Sequence, residues 1–163
     1  MHQEDIGFPC TMNSITYVRP NGGYGWACDF SMKMAHVTID ELSETFADNF
    51  TPGTLQTVVF IDSLPLYGGA GSTMTIQFDQ PFLYNGTDNL LIDIHYPDGM
   101  VEAGVYNWEA GPARNLHCLF PPGGSPDPTG ELSNMVPYMI LECEMGLEAC
   151  TFGGIKIILG GAD

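Results

Sequence analysis

The sequence predicts an all-β fold, a two-sheet antiparallel β-sandwich, jelly-roll-like, with about ten strands and one short helical turn near residues 41–48. Three observations predict it. Between Thr54 and Trp108, short alternating apolar runs are separated by glycine, proline and Asn-Gly turns. No helical period runs through that stretch. The chain has 163 residues, 44% of them apolar, which suits one domain with a sizeable core, so residues 1–163 read as a single unit.

Residues 1–12 read as a lead-in. NSITYVR (13–19) and YGWACDFSM (24–32) are strand-like, and Pro20-Asn21-Gly22-Gly23 between them is a turn by composition. MAHVTID (34–40) reads as a third strand. ELSETFADNF (41–50) is the one helix-like piece, short and acidic, closed by Pro52-Gly53. LQTVVFID (55–62) carries apolar residues on both faces, which predicts a central strand. In STMTIQF (72–78), Met74, Ile76 and Phe78 share one face, and Thr73, Thr75, Gln77 and Asp79 share the other. A slip of one residue would bury the polar set, so the register is well specified. Pro81 is expected to stop that ladder, Phe82 and Tyr84 to plug the sandwich end, and Asn85-Gly86 to supply a turn with positive φ. NLLIDIHY (89–96) points Leu90, Ile92, Ile94 and Tyr96 inward and Asp93 and His95 outward. GVYNW (104–108), RNLHCLF (114–120), VPYMILE (136–142) and GIKIILG (154–160) complete the strand set. Residues 121–130, with four prolines and three glycines, read as a loop.

Charge narrows the partners. Twenty acidic residues face four Lys and Arg, for a net charge of −16. Phosphate contacts need clustered Lys and Arg, so nucleic acid is a poor partner. Anionic membranes are disfavoured on the same ground, and no apolar run reaches the roughly 18 residues of a spanning helix. MHQEDIGF has neither the basic start nor the apolar core of a signal peptide, and the chain reads as a mature protein or an excised module. Five cysteines occur without a CxxC pair. Cys10 and Cys28 bracket one expected hairpin, and Cys143 and Cys150 another, which suggests a disulfide in each and leaves Cys118 over. Disulfides and acidity together suit an extracellular or cell-surface setting.

Residues 30–142 resemble a module of large secreted proteins of Bacteroidetes and other bacteria that use C-terminal sorting signals. The matching residues are Glu44-Thr45-Phe46, then Leu55 with Val58, then the run from Pro81-Phe82 through Tyr84, Asn85-Gly86 and Asn89-Leu90-Leu91-Ile92. Pro137-Tyr138-Met139-Ile140 is similar to the module's closing strand, with Tyr and Met in place of Asn and Arg. The resemblance implies a β-sandwich accessory or adhesive domain without catalysis. The N-terminal hairpin and the tail after Cys143 depart from it.

Candidate chemistry is sparse. No G-x-S-x-G occurs, and Ser31, Ser63 and Ser72 have no diagnostic neighbourhood, so a small hydrolase would have to assemble an unannounced site. Asp93 and His95 project from one face and offer two ligand-binding groups. Asp40, Glu41, Glu44 and Asp48 cluster in sequence and make calcium the best metal candidate, since calcium takes six to eight oxygens. Among aromatic residues suited to stack on a sugar, Tyr67 in Leu-Tyr-Gly-Gly is the one expected to be exposed, whereas Trp26 and Trp108 sit in strands and read as core. Residues 152–161 are a β-prone segment between glycine pairs that either closes its own sheet or adds to a neighbour's edge. The expected function is therefore a non-catalytic extracellular binding or adhesion module whose partner is a glycan or surface protein. The alternative is a structural subunit of a surface filament or layer, self-assembled by strand addition.

Overall fold

A computed structural model describes residues 6–101, 104–117 and 128–144. It is a sandwich-like all-β fold of antiparallel sheets, with a 3₁₀ turn at Phe46–Asn49 where the short helical turn was expected. The strands are β1 (Cys10–Val18), β2 (Gly25–Val37), β3 (Gln56–Pro65), β4 (Thr73–Tyr84), β5 (Asn89–His95), β6 (Asp98–Val101), β7 (Asn107–Glu109), β8 (Asn115–His117), β9 (Glu131–Ser133), β10 (Met135–Pro137) and β11 (Met139–Glu144). One sheet runs β11-β1-β4. The other runs β3-β2-β5, with β6 also paired to β2. Two small ribbons, β7 with β10 and β8 with β9, complete the described strands.

The core lies between the two larger sheets. Met12, Ile15 and Tyr17 of β1 and Ile76, Phe82 and Tyr84 of β4 meet Phe30, Met32 and Met34 of β2 and Val58 and Val59 of β3. Period-two alternation explains most of this packing. The expected face of β4 holds: Ile76 is buried, Met74 and Phe78 pack on the core, and the threonines face out. The turn after β4 also forms as its chemistry dictates. Gly86 takes φ +74°, and a Cβ there would lie 2.5 Å from Pro9 N, so only glycine fits without displacement. Asn85 Oδ1 accepts from the backbone N–H groups of Thr87 and Asp88, both at 3.0 Å.

Five expectations need correction. β1 and β2 are not a hairpin, because the Pro20–Gly23 turn carries the chain from one sheet to the other. Cys10 and Cys28 therefore lie in different sheets and both are free thiols. MAHVTID is not a separate strand. Its first four residues end β2, which runs on through a register shift against β3 between Met32 and Lys33. Pro81 does not stop β4. The β1–β4 register shifts between Met12 and Ser14, and Pro81 falls in the irregularity, where its missing N–H costs no ladder bond. Among the described residues β3 pairs with β2 alone, at the edge of its sheet and not at its centre. Side chains cover that edge: Phe60 N–H donates to Asp79 Oδ2 at 2.9 Å, and Gln56 Nε2 to Pro81 O at 3.0 Å.

β2 changes partner along its length. β6 pairs with Gly25 to Cys28 and β5 with Ser31 to Val37. Asp29, near that junction, takes φ +48° and is exposed. An L-residue in this region carries a steric penalty that glycine lacks. Asp29→Gly is accordingly expected to gain about 0.5 kcal/mol, the relieved strain exceeding the added chain entropy of the unfolded state. A rise in Tm by differential scanning calorimetry checks it, and an unchanged or lower Tm counts against strain at this position.

Candidate binding pocket

Among the described residues, one end of the core does not close. A cavity of about 260 Å³ lies between the sheets, walled by Tyr17 and Arg19 from the β1 side, Phe30 from β2, Leu66 beyond β3, Ile76 from β4 and Ile94 from β5. Its other walls are equally apolar. Ile94 and Tyr96 line it yet are 42% and 37% exposed, which marks the mouth. Both were expected to face inward. They do, onto open space instead of packed side chains.

Arg19 is the unusual wall residue. It follows Ile15 and Tyr17 at the strand period, so its side chain turns to the same inner face, and only 2% of it is exposed. The loop after β3 folds over it. Arg19 N–H donates to Ser72 O at 3.0 Å, and Gly71 N–H donates to Arg19 O at 2.9 Å. A Cβ on Gly68 would stand 3.0 Å from Arg19 Cδ and Nε, so this glycine lets the loop backbone approach the side chain. Nη1 donates to Leu66 O at 3.2 Å and Nη2 to the Met74 sulfur at 3.5 Å. Nε has no acceptor, and no carboxylate pairs with the guanidinium among the described residues. A buried cation so weakly compensated costs several kcal/mol of stability. Tyr17 lines the same pocket. Burial pushes its phenol pKa upward, so it stays a neutral hydroxyl through the physiological range.

A second surface is aromatic. β7 and β10 pair with Trp108 opposite Val136 and Asn107 opposite Pro137, and Tyr138 N–H donates to Tyr106 O at 2.6 Å. The strand period puts Tyr106, Trp108 and Tyr138 on one face of this ribbon, exposed by 48%, 43% and 48%. Trp108, expected in the core, is thus a surface residue, because β7 belongs to a two-stranded ribbon outside the main sheets.

The residues singled out from sequence do not converge. Tyr67 is exposed by 69%, as expected, and does not wall the pocket. Asp93 and His95 lie on the outer face of β5, opposite Lys33 and Ser31 of β2. Asp40, Glu41, Glu44 and Asp48 share a segment without gathering. No group of three acidic, His or Cys side chains capable of holding a metal forms among the described residues. Asn49 organises that segment instead. Its Oδ1 accepts from Ser43 N–H at 2.7 Å, and its Nδ2 donates to Ser43 O and Thr45 O at 3.0 Å each. Cys150 and residues 152–161 lie outside the described residues, so the Cys143–Cys150 pairing and the terminal strand do as well. Among the described residues no helix is long and apolar enough to cross a membrane.

The cysteine that meets Cys10 is Cys143, on β11 beside β1, through a side-chain hydrogen bond. Burial and the neighbouring Cys143 thiol push Cys10 up to about 12 from 9.0. The unfolded chain therefore releases this proton before the folded one does. Stability is expected to fall as pH rises above 9 toward 12, by up to about 1.4 kcal/mol per pH unit for that one proton. Urea denaturation across this range checks the slope, and Cys10→Ala should flatten it. Equal slopes in both proteins would contradict the assignment.

Comparison of the chain with protein-family models, with curated proteins and with solved structures found no match.

Proposed function

We propose that this chain is a non-catalytic binding domain of a secreted or surface protein, and that its ligand enters between the two sheets. The pocket carries this reading. A well-packed interior leaves few voids larger than a water molecule, and about 150 Å³ lined by apolar side chains suffices to bind benzene. The cavity here is about 260 Å³ and has an open mouth. Among the described residues its walls hold aliphatic and aromatic side chains with one arginine and two tyrosines, and no serine, cysteine, histidine or carboxylate. Such a wall suits binding better than turnover. The resemblance to accessory modules of secreted bacterial proteins agrees with it.

The test is a neutral apolar fluorophore, N-phenyl-1-naphthylamine, titrated into the protein. Saturable one-to-one enhancement is expected, and Leu64→Trp, which fills the cavity, should abolish it while leaving cooperative unfolding intact. A flat titration would refute the pocket reading.

A second reading rests on the aromatic ribbon. Tyr106, Trp108 and Tyr138 form an exposed platform of the kind that stacks on sugar rings, which supports glycan adhesion. Glycan-array binding lost on Tyr138→Ala and retained on Tyr67→Ala would favour it.

A further inference from the structure

We propose that the pocket takes an amphipathic monocarboxylate, with its apolar chain between the sheets and its carboxylate beside Arg19. The inference rests on the pocket reading above and adds the ligand's head group. Arg19 has five N–H bonds. Two of them donate, to the Leu66 carbonyl and to the soft Met74 sulfur, and Nε has no acceptor. The positive charge is 2% exposed and lies at an otherwise apolar cavity. Among the described residues no carboxylate neutralises it, although the chain carries twenty acidic residues against four basic ones. Acidic side chains are plentiful, and none is placed here. A ligand that brings its own anion supplies the counter-charge, and charge-assisted bonds in a desolvated site are the strong ones.

The charge count sets the class. Among the described residues the pocket holds one cation and no second basic side chain, so a monoanion balances it and a dianionic phosphate would leave a negative charge buried. The cation stands among apolar walls, so the rest of the ligand is hydrocarbon. The volume of about 260 Å³ limits that part to a short chain or a small ring system.

Isothermal titration with octanoate, 1-octanol and octyl sulfate separates the outcomes. Octanoate is expected to bind wild-type protein about tenfold or more tightly than 1-octanol, the usual effect of a charged hydrogen bond. Arg19→Met and Arg19→Gln should keep 1-octanol affinity and lose the preference for octanoate. Equal binding of acid and alcohol, or a preference that survives both substitutions, overturns the carboxylate assignment while the pocket stands. Tighter binding of octyl sulfate than of octanoate overturns it likewise. Binding of none of the three overturns the pocket reading itself. The acid–alcohol comparison on wild-type protein needs no variant, so it decides the question even where a substitution prevents folding.

Discussion

Arg19→Met is expected to stabilise the empty protein by about 1–3 kcal/mol. Methionine is close to arginine in length and suits an irregular apolar site. It removes a buried charge that has no carboxylate partner among the described residues. The opposing cost is the hydrogen bond that Nη1 gives Leu66 O, worth about 1 kcal/mol, with some penalty for the carbonyl left behind. Desolvation of the unpaired guanidinium is the larger quantity, so the net sign is a gain. Urea denaturation monitored by tryptophan fluorescence measures it. A loss of 2 kcal/mol or more would mean that Arg19 holds the loop after β3 in place and that its burial is structural. A gain identifies a residue kept at the expense of stability, the pattern of a binding group.

Ile15→Ala should do the opposite, on the same inner face. Ile15 has no exposed surface, and β1 lies between β11 and β4, so the site cannot collapse from either side. The lost transfer free energy and the residual cavity together are expected to cost about 2–5 kcal/mol. The denaturation midpoint should fall with an unchanged m-value. A cost below about 1 kcal/mol would show that β1 is not the packed centre of its sheet. Four residues apart along one inner face, the two substitutions separate a core that is full from one that is held open.

Most of the sandwich is legible in local pattern, because a two-residue period states which side of a strand is wet. Thr73 to Phe78 shows this best: one register satisfies both faces, and the structure adopts it. Asn85-Gly86 is equally explicit, since few residue pairs accept that backbone. Pairing partners are less legible. Pro20–Gly23 announces a reversal, but composition does not say whether the chain returns within its sheet or crosses to the other. The Cys10–Cys28 expectation fails on that distinction, and the true neighbour, Cys143, is far away in sequence. Pro81 and LQTVVFID mislead for a related reason. A bulge can absorb a proline, and an edge strand can bury both faces locally where β4 lies against it.

The site was harder to read because it is an absence of packing at one end of the core. Tyr67, Asp93 and His95 attract attention as polar or aromatic groups on visible faces, yet none of them walls the pocket. Asp40, Glu41, Glu44 and Asp48 share a segment and not a centre. One signal did point inward. In NSITYVR the alternation that buries Ile15 and Tyr17 also buries Arg19, one of two arginines in the chain. A cation placed on a core face by strand period, in a sequence rich in carboxylates, can be found without coordinates.

The most direct test of an open, ligand-accepting space between the sheets is a methyl-resolved NMR titration with octanoate. The account predicts chemical-shift changes at Leu64, Leu66, Ile76 and Ile94, which wall the cavity, and none at Val58, Val59 or Leu90, which are buried in the core and do not line it. Shifts spread evenly over the core, or an unchanged spectrum at saturating octanoate, would contradict it.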